Sequence, residues 1–150
     1  MKREIKFRAW DGENKKMITS GFIIKNDGSI RIWDGSDWGA NQYTINLGSK
    51  LMQYTGLLDK NGKEIYEGDK VKITYCDLCY LKSQEERNNN MRSHLTLVRI
   101  TSAEGVVFED IDGESISLAS RGRKEGQHND LEVIGNLYEN KDLLKVGKDQ

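Results

Sequence analysis

The chain has 150 residues, of which 23 are Lys or Arg and 24 are Asp or Glu, and this length fits one ordinary domain or two small lobes. The formal net charge of -1 argues against binding of nucleic acid through overall positive charge, and no apolar run approaches the roughly 20 residues of a membrane span. The two cysteines cannot build a disulfide framework and no signal-peptide core follows Met1, so we expect a cytoplasmic protein with no membrane partner.

The first third of the chain shows the alternation of apolar and polar residues that is typical of half-buried strands. It predicts four short strands, over residues 5–10, 17–18, 22–24 and 30–33. Asp11-Gly12 and Asp27-Gly28 supply the turns of two hairpins, because Asp-Gly suits the positive φ angles of tight turns. The Gly-rich stretch that follows fits either a strand at residues 43–47 or a loop.

The remainder of the chain has the same character, with polar loops between alternating segments. The predicted strands cover residues 51–55, 65–66, 70–75, 95–101, 105–109, 116–118 and 131–135. Asn61-Gly62 is a strong hairpin signal, and the polar runs at 82–93 and 121–126 read as long loops. Residues 139–145 predict a short C-terminal helix.

These elements predict a mainly β fold with a minor α part. We expect an N-terminal lobe of β-hairpins over residues 1–50, packed on an SH3-like small β-barrel over residues 51–150 and closed by the short helix. The chain has no proline and 15 glycines. That composition fits many short strands, since proline would remove ladder donors and glycine serves the turns.

Cys76 and Cys79 have the spacing of half a zinc site, because two thiolates two residues apart can share one metal ion. A closed site needs four ligands, and the two histidines, His94 and His128, are 34 residues apart instead of the usual three to five. A zinc shared between subunits is a second route. The preferred interpretation is a pair of thiols without metal, so no cofactor is predicted.

All three tryptophans, Trp10, Trp33 and Trp38, lie in the first forty residues. Trp10 and Trp33 are interpreted as core residues of the N-terminal lobe, since both are taken to be in phase with apolar strand neighbours. Trp38 lies in a turn rich in Gly and Asp and is the better candidate for exposure. Aromatic and basic side chains on a β surface can stack nucleic-acid bases or anchor a protein partner. The candidate binding residues are Trp38, Trp33, Arg31, Arg8 and Tyr43.

Three segments together resemble the YopX-like proteins. They read REIKFRAWD at residues 3–11, LMQYTGL and DKNGKEIYEGD between residues 51 and 69, and EVIGNLYEN at residues 132–140. The resemblance implies a protein encoded by a phage or prophage whose function is uncharacterised, with no catalytic residues to transfer. The two cysteines lie between the segments, where the resemblance implies variation.

No phosphate loop, dinucleotide fingerprint or nucleophile elbow occurs in the sequence, so an enzyme is not predicted. We expect a non-enzymatic accessory protein that binds a macromolecule, with a host or phage protein as the first choice of partner. The alternative is binding of single-stranded nucleic acid through residues 1–50, which carry a net charge of +3. A homo-oligomer is a further alternative.

Overall fold

A computed structural model describes residues 4–33, 43–45, 48–76, 91–110, 115–117 and 130–140. The chain divides into two compact units, Met1–Tyr54 and Thr55–Gln150. The predicted division into residues 1–50 and 51–150 stays a prediction. In the described ranges every regular element is a strand, which confirms the mainly β prediction. No helix of the described residues is long and apolar enough to cross a membrane.

The first unit contains six strands, the last of which runs on into the second unit. They are β1 (Phe7–Asp11), β2 (Lys16–Ile18), β3 (Phe22–Ile24), β4 (Ile30–Trp33), β5 (Tyr43–Ile45) and β6 (Lys50–Leu58). β1 pairs with β2 and β6, and β3, β4 and β5 form a separate antiparallel sheet in that order. The two predicted hairpins are therefore β1–β2 and β3–β4, and the ambiguous segment forms a strand.

Buried residues of β1 and β4 form the core of the first unit, and burial alternates along β4. Ala9, Ile30 and Ile32 are buried together, and partly buried side chains from the flanking strands pack against them. Because successive residues of a strand point to opposite faces, Arg31 and Trp33 face away from Ile30 and Ile32. This geometry decides which residues of the sheet are exposed.

The second unit is centred on a five-stranded sheet. The strands that follow β6 in this unit are β7 (Glu64–Tyr66), β8 (Asp69–Cys76), β9 (Met91–Thr101), β10 (Gly105–Asp110), β11 (Ser115–Ser117) and β12 (Asp130–Asn136). The sheet has the order β11-β10-β9-β8-β12, and β7 is next to β6. Its core consists of buried apolar side chains from five strands: Ile65, Val71, Ile73, Val98, Phe108 and Leu131.

The predicted C-terminal helix over residues 139–145 is not supported by the described residues. Leu137–Glu139 forms a turn, and the segment from residue 141 onward lies outside the described ranges. The turn begins at Asn136, whose Oδ1 accepts the backbone N–H groups of Tyr138 and Glu139 at 2.9 Å each. An Asn that bonds to the backbone in this way favours a turn, in competition with a continued strand or helix. The SH3-like description of the barrel stays a prediction.

Candidate binding surface

The sheet β3–β4–β5 has a solvent-facing side, which we call the outer face and define by Ile23, Arg31 and Trp33. Arg31 is the strand partner of Ile23, so the two residues share a face. The opposite face carries the buried Ile30 and Ile32. The outer face therefore combines two apolar side chains and one cation on a hydrogen-bonded backbone.

Trp33 is the largest exposed side chain of this face. It is 51% exposed, and its backbone N–H donates to the carbonyl oxygen of Gly21 at 2.8 Å. A Cβ atom built on Gly21 would lie 3.9 Å from ring atom Cε3 of Trp33, so the indole lies beside this glycine. The ring thus extends from β4 towards the start of β3 while half of its surface faces solvent.

The core interpretation of the tryptophans is right for Trp10 and wrong for Trp33. Trp10 is 7% exposed on β1. Trp33 directly follows the buried Ile32, and the strand period of two places it on the opposite face. The sequence contained this signal, because Ile30 and Ile32 fix the phase of β4.

Arg8 does not contribute to the predicted surface. It lies on β1 opposite Met52 and is 9% exposed, so its guanidinium is not presented on the surface as a nucleic-acid contact would require. Arg31 is half-buried beside Ile23; its Nε is buried without a hydrogen-bond partner among the described residues, so only the outer part of its guanidinium can face solvent. Tyr43 is the strand partner of Trp33, and Trp38 lies outside the described residues.

Ile23 and Ile24 were not among the predicted site residues, although they are 41% and 42% exposed. Both belong to β3, which is an edge strand of its sheet. The signal was the run of two isoleucines in a short strand, since one of two successive residues must face outward.

The structure leaves the predicted cysteine pair untested. Cys76 is the last residue of β8, and Cys79 and His128 lie outside the described ranges. His94 on β9 lies with Nδ1 3.2 Å from Oδ2 of Asp110. Within the described parts of the chain, no cluster of three or more His, Cys, Asp or Glu could hold a metal ion.

Two of the three segments that resemble the YopX-like proteins, the middle one and the last, meet in the second unit at Asp59. Oδ1 of Asp59 accepts the backbone N–H groups of Asn61 at 2.8 Å and Lys63 at 2.9 Å, and Oδ2 accepts that of Val133 on β12 at 3.2 Å. Burial is the largest single influence on the pKa of Asp59 and raises it, but the hydrogen bonds together outweigh burial and lower the pKa below its usual range. One carboxylate thus fixes the turn after β6 and ties it to β12.

A second connection joins Lys70 to the end of the described chain. Lys70 is fully buried, and its Nζ donates to the main-chain carbonyl of Asn140. Oδ1 of Asn140 accepts the N–H of Asn136 at 3.3 Å. A Cβ atom on Gly135 would come within 2.9 Å of Cγ of Asn140, so a glycine makes room for this arrangement. Folding alone accounts for these residues, whereas packing does not account for the exposure of Trp33 and Ile23 on the outer face.

The fold defines a mainly β protein of two units, held in the second unit by buried polar connections between distant segments. The model of the YopX protein family matches residues 6–145, and the chain belongs to this family. This membership confirms the resemblance seen in the three sequence segments.

Two of the solved structures that share the fold are the following. The crystal structure of protein EF1440 from Enterococcus faecalis is 24% identical, with a TM-score of 0.55 over 94% of this chain and 98% of that chain. The X-ray structure of protein yopX from Bacillus subtilis is 23% identical, with a TM-score of 0.53 over 91% of this chain and 95% of that chain. No curated protein matches the chain.

Proposed function

We propose that the protein is a non-enzymatic accessory protein of a phage or prophage that binds a host or phage protein through the outer face. The observation that carries the proposal is the 51% exposure of Trp33 on a face shared with Ile23 and Arg31. Trp and Arg are the residue types enriched among the side chains that dominate protein–protein binding energy.

The sheet supplies the rigidity that such a surface needs. Ile23 and Arg31 are paired strand residues, and the hydrogen bond from the Trp33 N–H to Gly21 holds the end of β4 against β3. A side chain that is ordered before binding loses less conformational entropy in the complex. Trp33 and Ile23 would fill apolar pockets of the partner, and the guanidinium of Arg31 would bond to a carbonyl or carboxylate at the rim.

The burial of Arg8 favours a protein partner over single-stranded nucleic acid. Binding of nucleic acid depends on cations that reach the phosphates, and Arg8 is 9% exposed. Binding of single-stranded nucleic acid is kept as the alternative that the test below distinguishes from binding of a protein.

The test compares affinity capture from an extract of the bacterial host by three baits. These are the natural protein, Trp33→Ala and the control Leu58→Ser, which changes a side chain that is 55% exposed in the second unit. We expect a protein that the natural chain and Leu58→Ser retain and Trp33→Ala loses. Titration of that protein should show Kd raised about 30-fold or more by Trp33→Ala, as for other central tryptophans.

Two results would contradict the proposal. One is a captured protein that all three baits retain equally, because the outer face would then be irrelevant to its binding. The other is salt-sensitive binding of a single-stranded oligonucleotide that Trp33→Ala abolishes, with no protein retained by the natural chain.

A further inference from the structure

β3 is an edge strand whose outward backbone groups can be identified from its hydrogen bonds. The N–H of Trp33 donates to the oxygen of Gly21 at 2.8 Å, and the N–H of Lys25 donates to the oxygen of Ser29 at 3.0 Å. In an antiparallel pair such bonds recur at every second residue, so the N–H and C=O groups of Ile23 also face β4. Those of Phe22 and Ile24 therefore point away from the sheet.

Two other described edges, β12 and β2, carry features that discourage pairing with a further strand. On β12 the oxygen of Leu131 accepts the N–H of Lys60 at 2.8 Å, and the N–H of Val133 donates to Asp59. β2 has two successive lysines at its start, Lys15 and Lys16, and lysines on an edge oppose pairing, whereas β3 is followed by the single Lys25. β3 instead reads Phe-Ile-Ile, with two of its side chains more than 40% exposed. Of these three edges, β3 is the best suited to accept a strand.

We propose that β3 pairs with β3 of a second copy of this chain, antiparallel and centred on Ile23. This register sets Phe22 of each copy opposite Ile24 of the other, so that the outward groups form four main-chain hydrogen bonds. Ile23 lies opposite Ile23 of the second copy in a non-hydrogen-bonded pair, where side chains approach most closely. The arrangement is closed by a two-fold axis, as in most soluble dimers.

The same register places a cation beside an aromatic ring at both ends of the pair. Lys25 follows Ile23 at strand spacing and lies opposite Gly21 of the second copy, beside which the ring of Trp33 lies. The ammonium group of Lys25 can then reach the face of that indole in a cation–π contact. No two like charges are opposed, because Lys25 is the only charged residue between Ser20 and Asn26 and it lies opposite Gly21. These matches favour a second copy over an unrelated strand.

The two-fold axis is perpendicular to the joined sheets, so both outer faces lie on the same side. Two three-stranded sheets become one of six strands, with the side chains of Ile23 at its centre. The dimer does not depend on the proposed partner, because it forms from this chain alone. The short edge predicts a weak dimer, with a Kd on the order of ten micromolar.

Sedimentation velocity of the purified full chain, from about 1 µM to about 300 µM, tests the pairing directly, because a reversible dimer grows with concentration. We expect a monomer–dimer equilibrium that Ile24→Pro abolishes, since proline removes an outward N–H but no bond to β4. Lys25→Glu should raise Kd about tenfold or more by removing the contact with Trp33, while Lys25→Arg restores dimerisation. Lys63→Glu, the same charge change on an exposed residue of the second unit, should leave Kd unchanged.

Amide hydrogen exchange by NMR supplies a second readout. At high concentration the N–H groups of Phe22 and Ile24 should exchange at least tenfold more slowly, while that of Ile23 is already protected by β4. A chain that is monomeric throughout the range overturns the proposal. A dimer whose Kd in Ile24→Pro and in Lys25→Glu equals that of the natural chain also overturns the proposal. Ile24→Pro keeps Trp33 and Arg31 in place, so a monomeric variant that still captures the partner separates this proposal from the proposed function.

Discussion

The stability of the second unit should depend on the carboxylate of Asp59, and Asp59→Asn tests this with little change of shape. The natural side chain accepts three backbone N–H groups, from Asn61, Lys63 and Val133. An amide has one oxygen, so at least one of these donors would face an NH2 group and lose its bond.

The expected loss follows from where each donor lies. All three hydrogen bonds are partly buried, but Asn61 and Lys63 are exposed residues whereas Val133 is half-buried, so water replaces the bond of the Val133 N–H least readily. An unsatisfied buried donor costs about 1–3 kcal/mol, and the remaining bonds lose the strength that a charged acceptor gives. We expect the free energy of unfolding to fall by about 2–3 kcal/mol, which lowers the melting temperature by roughly 10 °C for a unit of this size.

Urea unfolding followed by far-UV circular dichroism measures this change. The control is Asp27→Asn, because Asp27 is exposed and accepts one backbone N–H, from Ser29, at 2.8 Å. Tryptophan fluorescence adds a second signal, since all three tryptophans precede residue 40 and report on the first unit. Asp59→Asn should therefore shift the urea midpoint measured by tryptophan fluorescence less than the midpoint measured by circular dichroism.

The direction of the pKa shift of Asp59 determines how the stability difference between the natural chain and Asp59→Asn changes with pH. The pKa of Asp59 is lowered in the folded state, so its stabilisation is present above the unfolded pKa of about 3.9 and is lost as pH falls through the folded pKa. The natural chain should exceed Asp59→Asn in stability at neutral pH, and the difference should narrow below about pH 4. Equal stability at neutral pH, or a difference that widens in acid, would refute the reasoning.

Three further changes in the second unit have expected outcomes. Gly135→Ala should lower the free energy of unfolding by about 1–3 kcal/mol in chemical denaturation, because the added methyl group collides with the side chain of Asn140, and an unchanged midpoint would contradict this. Lys70→Met keeps the buried stem but removes the donor to Asn140, so we expect a loss of about 1–3 kcal/mol in thermal unfolding; a more stable variant would show that the charge is dispensable. Burial, with the charge of Glu67, raises the pKa of Tyr138 in the folded state, so stability should fall as pH rises through about 10, and Tyr138→Phe should reduce that slope relative to the natural chain. A slope that Tyr138→Phe leaves unchanged would show that other groups cause it.

Local pattern predicted most of the described strands. The alternation around Val71 and Ile73 marks β8, and the turn signal Asn61-Gly62 lies where Gly62 has a φ of 80°. These features depend on neighbours in sequence, which is why they can be read without a structure.

The connections between distant segments could not be predicted in the same way. Asp59 and Val133 are 74 residues apart. The local sequence around a turn-forming Asp does not indicate which distant strand will donate an N–H to its carboxylate. The burial of Arg8 likewise depends on what covers the second face of β1, which alternation does not specify. Trp33 differs, because the phase of Ile30 and Ile32 was available and its exposure could have been deduced.

The most direct test of the outer face as a binding surface is the Kd of the captured partner for the natural chain and for Trp33→Ala. Both proteins should first show the same far-UV circular dichroism, since Trp33 is 51% exposed and contributes little to the core. The proposed function predicts a Kd that rises about 30-fold or more in the variant, and an unchanged Kd in Leu58→Ser. A Kd that is equal for the natural chain and Trp33→Ala would contradict it.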